Sequence, residues 1–338
     1  MSSAKPDLGG GRFCEVDAIK GVGIALVVLI HSLRTTWDPG ITSAEIWLGY
    51  VTRFAVPGFF AASGYLYATN RPIPRRVIGR RLLRVFVPYL VASAAAQIFF
   101  LVSSVPSPER PLWRVILLAS SFGAYYFVLM LALFIALSPG LARMGRRAVG
   151  FLLIPLLLVQ VLIETGIVPP VNFFWHLRNP FLWAAYFVLG WWVRLHREAI
   201  VSALCAQRAR WVGFVGGVWI TLATVLAFGK LLPQVGVSAT AWLMILTSLG
   251  FGFVLSAERE FPPSLMRPLR WLSDASYPVY LFHLFFLTVA AQEIRMASRV
   301  FEPEKLFALW LCGMVGPIVI VSMGRKLLGP RSRILLGG

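Results

Sequence analysis

Residues 91–102, VASAAAQIFFLV, and 152–162, LLIPLLLVQVL, are apolar on almost every face, a pattern that separates a membrane helix from a membrane strand. A strand in a membrane barrel would alternate apolar and polar side chains, and these runs do not alternate. A helix satisfies its own backbone hydrogen bonds, which lipid cannot do. Working outward, similar runs occupy 17–36, 46–68, 83–104, 124–141, 149–168, 179–193, 212–228, 239–256, 275–292 and 306–323. The stretch 112–122, LWRVILLASSF, is too short for a further span and reads as interfacial or as an extension of the fourth helix. The fold expected is an all-α polytopic bundle of about ten spans. It divides into a polar N-terminal tail at 1–16, a membrane domain at 17–325 and a C-terminal tail at 326–338.

Composition agrees. The 338 residues are 58% hydrophobic and 14% charged, against about 45–50% apolar and 25% charged in a typical soluble chain. Lys and Arg number 32 against 14 Asp and Glu, a net charge of +18. In a soluble protein that excess would point to nucleic acid; here its distribution gives another meaning. With a cytoplasmic N-terminus, 23 of the basic residues fall on the inner side, eight on the outer, and Arg53 lies within a span. That asymmetry places both termini in the cytoplasm and assigns the charge to orientation in the bilayer. The first apolar run has no small-residue cleavage site after it and is read as a retained anchor. Cys14, Cys205 and Cys312 are scattered, with neither a disulfide framework nor metal-ligand spacing.

The chemistry must come from polar residues that lipid disfavours. His31 lies 14 residues beyond Asp17, about 21 Å along a helix, nearer the outer face. Arg53, eight residues past Glu45, lies about 12 Å deep from that face. An ionisable group at this depth is costly unless it meets a partner or a wet cavity. His283, in YLFHLFF, has apolar neighbours and reads as a helix-bridging residue. His176, in FFWHLRN, belongs to an outer aromatic and basic belt, and His196 to a solvated loop. Glu164 could bind substrate or pair with an arginine. At the inner side, Asp17 and Lys20 share a helix face. Arg80, Arg81 and Arg84 gather at the start of the third span, a fork suited to phosphate. Arg71, Arg75 and Arg76 are ordinary flanking charge toward anionic lipid. Ser63–Gly64 has no local base or oxyanion hole and reads as a small-residue packing site.

In order along the chain, these motifs resemble membrane acyltransferase family 3, the bacterial integral-membrane O-acyltransferases. FCEVDAIKGVGIALVVLIHS (13–32) is similar to that family's first helix, in which an acidic and a basic residue precede a histidine; Asp17, Lys20 and His31 stand in those places. The family more often has Arg at the position of Lys20, and lysine keeps the charge without the bidentate fork. VPGFFAASGYLY (56–67), RRLLRVFVPYL (80–90), AYYFVLMLALF (124–134), AYFVLGWWV (185–193) and SYPVYLFHLFF (276–286) resemble later landmarks in the expected order. The resemblance covers residues 12–325 and implies transfer of an acyl group, commonly acetyl from acetyl-CoA, to a hydroxyl of a carbohydrate or glycan. It implies His31 at the reacting centre with Asp17, and Lys20, Arg80, Arg81 and Arg84 as holders of the CoA phosphates; Arg53, at a depth comparable with His31, completes the catalytic set expected, and no metal is expected. The location expected is the bacterial cytoplasmic membrane, with the lipid bilayer as surroundings and no nucleic-acid partner. The competing reading is a transporter of a small polar solute or lipid-linked sugar, against which stand the absence of an internal repeat and of paired broken helices.

Overall fold

A computed structural model describes residues 12–33, 41–103, 111–164, 167–169, 172–205, 262–295 and 302–337. Every regular element among them is helical. In chain order these are α1 (Cys14–Ser32), α2 (Ser43–Thr52), α3 (Ala55–Tyr67), α4 (Arg75–Val102), α5 (Leu112–Leu118), α6 (Tyr126–Arg143), α7 (Arg146–Glu164), α8 (Phe173–His176), α9 (Ala184–Leu195), α10 (Arg197–Cys205), α11 (Pro263–Arg295) and α12 (Pro303–Leu328).

Among the described residues, four segments are long and apolar enough to cross a membrane: Arg75–Val102, Gly123–Arg143, Arg146–Glu164 and Pro303–Leu328. The expected spans 212–228 and 239–256 lie outside the described residues. Span 46–68 is not one helix: it breaks at Arg53 and Phe54. At the break, Pro57 has no N–H to bond the carbonyl of Arg53 and sits in the first turn of the helix that follows, where a proline leaves no helical bond unmade. Arg53 therefore stands at an interruption, not on a continuous helix. The short run 112–122 forms its own helix, α5, which ends at Ala119 with φ 49°.

α1 is the central helix, with α3, α11 and α12 packed around it. A Cβ on Gly21 would lie 2.6 Å from the carbonyl oxygen of Leu269, so α1 and α11 meet backbone to backbone. Gly64 of α3 and Gly190 of α9 do the same reciprocally: a Cβ on the first would overlap the Phe187 carbonyl, and one on the second that of Ala61. Small residues allow this close approach, the contact that holds helices together where lipid offers no hydrophobic drive. The packing reading of Ser63–Gly64 agrees with this geometry.

Several interior hydroxyls and one indole N–H are spent on backbone carbonyls, which offsets the cost of burying them. Tyr277 donates to the Val85 carbonyl at 2.5 Å and Tyr125 to that of Leu281 at 2.5 Å, while Tyr280 donates to that of Ala124. These tie α11 to α4 and to the start of α6. Trp310 donates to the Ala25 carbonyl at 2.9 Å and ties α12 to α1. The outside is the reverse of a soluble surface. Leu101, Phe151, Ile154, Leu158, Met323 and Leu327 are all more than half exposed on α4, α7 and α12. An apolar belt of this extent needs lipid over it.

Candidate active site

The packing of α1 on α11 brings together two histidines that are 252 positions apart in sequence. The ring centroids of His31 and His283 are 5.2 Å apart, with the planes inclined at 47°. His31, on the last turn of α1, keeps an exposed face. His283 is fully buried. Its Nδ1 lies 2.8 Å from the carbonyl oxygen of Tyr280 and 3.1 Å from that of Val279. A carbonyl only accepts, so Nδ1 carries the proton and Nε2 the lone pair. Nε2 has no hydrogen-bond partner among the described residues.

A cavity of about 190 Å³ lies between α1, α3, α4, α6 and α11. Lys20, Tyr67 and Ser63 are its polar lining residues, with Phe59, Phe127, Leu131 and Tyr277 along its walls. Val27 and Tyr280, each about one helical turn before a histidine, also line it. The cavity thus extends from Lys20 to within a turn of His31. Ser63 bends its hydroxyl back to the Phe59 carbonyl at 2.8 Å, as a helical serine does.

Of the three arginines at the start of α4, Arg81 packs against a residue of the cavity wall, Tyr67. The Arg81 guanidinium lies over the ring of Tyr67 at 4.6 Å, a cation–π contact. Its Nη1 is buried without a hydrogen-bond partner among the described residues. Arg84 is exposed and within electrostatic reach of Tyr67 and Arg81. Arg80 is exposed, its Nε 3.4 Å from the Arg76 carbonyl on its own helix.

Asp17 lies at the opposite end of α1 from His31. Arg12 Nε donates to its carboxylate at 2.6 Å and Arg12 Nη2 to Asp274 at 3.0 Å, so the three clasp the chain entering α1 to α11. The hydrogen bond to Asp17, more than the opposing burial, holds the Arg12 guanidinium above its ordinary pKa. Arg53 is exposed at the α2–α3 break, and its charge reaches Tyr126 and Glu164. His176 acts on the same Glu164, so these polar groups gather in one region. Arg178 is structural: buried, it donates to the carbonyls of Leu118 at 2.7 Å, Ala119 at 3.0 Å and Phe174 at 2.9 Å, capping the end of α5.

Sequence reasoning passed over a second buried group. Glu15 has no exposed surface, and one carboxylate oxygen accepts from Tyr65 and, at 2.8 Å, from Arg197 Nε. Nearby, Arg194 lies over the rings of Phe13 at 4.2 Å and Tyr65 at 5.4 Å. The signal available was a glutamate two positions before Asp17 on the same helix. Its partners come from α3 and α10, and no local spacing announces them.

A helical protein with an apolar outer belt around an internal cavity is an integral-membrane protein. The sequence profile of the Acyltransferase domain, the acyltransferase 3 family, matches residues 15–324, nearly the whole chain. The chain belongs to that family and is a membrane acyltransferase. No curated protein and no solved structure matches it.

Proposed function

We propose that the protein transfers an acetyl group from cytosolic acetyl-CoA to a hydroxyl of a sugar or glycan at the outer half of the membrane. The observation that carries this reading is the cavity from Lys20, beside Tyr67 and Arg81, to within one turn of His31. A narrow apolar passage with cations at one end and a histidine at the other matches an extended pantetheine arm with phosphates at its tail.

Arg81 is the residue best placed to hold a phosphate, because its buried Nη1 has a donor to spend. Lys20 adds charge at the cavity wall, and Arg84 and Arg80 supply it nearer the inner surface. His31 acts as general base. It takes the proton of the acceptor hydroxyl as that oxygen bonds to the thioester carbon, then returns the proton to the departing sulfur as the C–S bond breaks. Arg53, beside Glu164 and Tyr126 on the outer side, positions the acceptor or steadies developing negative charge. Asp17 is about 21 Å from His31 along the helix, and we assign it to the clasp with Arg12. The topology in this proposal has about ten spans, both termini in the cytoplasm and the bacterial cytoplasmic membrane as its site.

The test is purified protein in detergent with acetyl-labelled acetyl-CoA and a panel of sugars, following thiol release and label transfer. Release of CoA thiol with label on a sugar is the expected result. A protein that does neither and instead moves solute across vesicles would be a transporter.

A further inference from the structure

We infer that His283 is a positioning residue for His31, holding it by accepting a hydrogen bond at Nε2. The inference rests on the reading of His31 as the reacting base, and it assigns a role to a residue that the sequence reads as a helix bridge.

Three observations carry it. The proton of His283 is fixed on Nδ1, since both neighbours of that atom are carbonyl oxygens. The remaining nitrogen is an acceptor, fully buried, and no hydrogen bond to it is formed among the described residues. The ring of His31 stands at a centroid distance of 5.2 Å, which a nitrogen-to-nitrogen hydrogen bond of about 3 Å fits once the ring edges face each other. The two residues also differ in freedom. His283 is buried and tied to its own helix, whereas His31 is on the last turn of α1 with an exposed face.

The consequence is a defined tautomer. With one N–H of His31 donated to His283, the other His31 nitrogen holds a lone pair for the acceptor hydroxyl. That nitrogen receives the hydroxyl proton as the new C–O bond forms, and gives it to the CoA sulfur as the C–S bond breaks. The proton shared with His283 stays in place throughout. His283 orients the base and steadies its cationic form without touching substrate.

The test compares H283Q, whose amide oxygen keeps an acceptor near the position of Nε2, with H283M, of similar length but without one. Diethyl pyrocarbonate, which acylates a neutral imidazole nitrogen, is applied to each protein in detergent. Mass spectrometry follows its rate at His31, with His176 and His196 as internal references. H283M should slow labelling of His31 about tenfold and lower kcat for CoA thiol release about 100-fold with KM unchanged, the scale of a misplaced catalytic group. H283Q should recover both to within a few-fold. Equal labelling in wild type, H283Q and H283M overturns the inference, as does a raised KM with kcat preserved. If H283M does not purify as a monodisperse species, ¹⁵N shifts of the histidine rings in the unmutated protein decide. The Nδ1–H tautomer at His283 supports the inference and the Nε2–H tautomer sinks it. Labelling that depends on residue 283 in a protein with no acetyl-CoA turnover would uphold the histidine pair and refute the acyl-transfer reading.

Discussion

Two residues divide the proposed chemistry between access and charge. His31 keeps an exposed face near the cavity, and Arg81 keeps a buried, unspent guanidinium nitrogen beside it. His31→Ala removes the base, and transfer should fall at least 10²-fold, the lower end of general-base contributions of about 10²–10⁴. Thiol release from acetyl-CoA by folded protein in detergent measures it, and near wild-type turnover would refute the role. Arg81→Ala should raise KM for acetyl-CoA about tenfold, the loss expected for one charged hydrogen bond. It should leave kcat within a few-fold, whereas Arg80→Ala, with its Nε toward its own helix, should change KM much less. Of these roles, the sequence made His31 and the arginine cluster legible, because an intramembrane histidine and clustered arginines stand out against an apolar background. It could not rank the three arginines. Which guanidinium meets Tyr67 depends on where α3 lies against α4, and no spacing within one helix encodes that.

Elements are held here by close backbone approach and by a few buried polar ties. Gly64→Val would push a side chain into the Phe187 backbone on α9. Overpacking of this kind costs about 1–3 kcal/mol, and a lowered melting temperature in detergent is the expected reading. Gly79→Ala on α4 meets open space and should be neutral or slightly stabilising, since alanine favours a helix. Arg197→Ala would strand the buried Glu15 carboxylate with Tyr65 alone. Breaking such a pair costs about 3–5 kcal/mol, so this variant should melt earlier than Gly64→Val. The elements themselves were largely legible as apolar runs. The break of 46–68 at Arg53 was not, although Pro57, which follows it, is in the sequence. A proline in an apolar run bends some membrane helices and interrupts others, according to what the neighbouring helices can do for the freed carbonyl.

At the scale of the whole molecule, charge asymmetry and the apolar belt make one claim about orientation. With both termini in the cytoplasm, a cysteine in place of Arg71 should react with a membrane-impermeant thiol reagent only in inverted vesicles. A cysteine in place of Ser43, exposed at the start of α2, should react in intact cells. The reverse pattern would invert the topology and place Arg81 and Lys20 on the wrong side for cytosolic acetyl-CoA.

The class of this protein can be read from its chain alone: all-helical, membrane-embedded and ordered like the acyltransferase 3 family. It can be read so because hydropathy, charge count and motif order are properties of the chain taken in one dimension. Only the tertiary structure decided which polar residues share a site. His31 and His283 meet because Gly21 lets α1 lie against the backbone of α11. Asp17, three positions from Lys20 on the same helix, is taken up by Arg12 at the far end from the histidines. Helical rise separates groups within one element by fixed distances, whereas contacts between elements are set by which side chains are small enough to let two backbones touch.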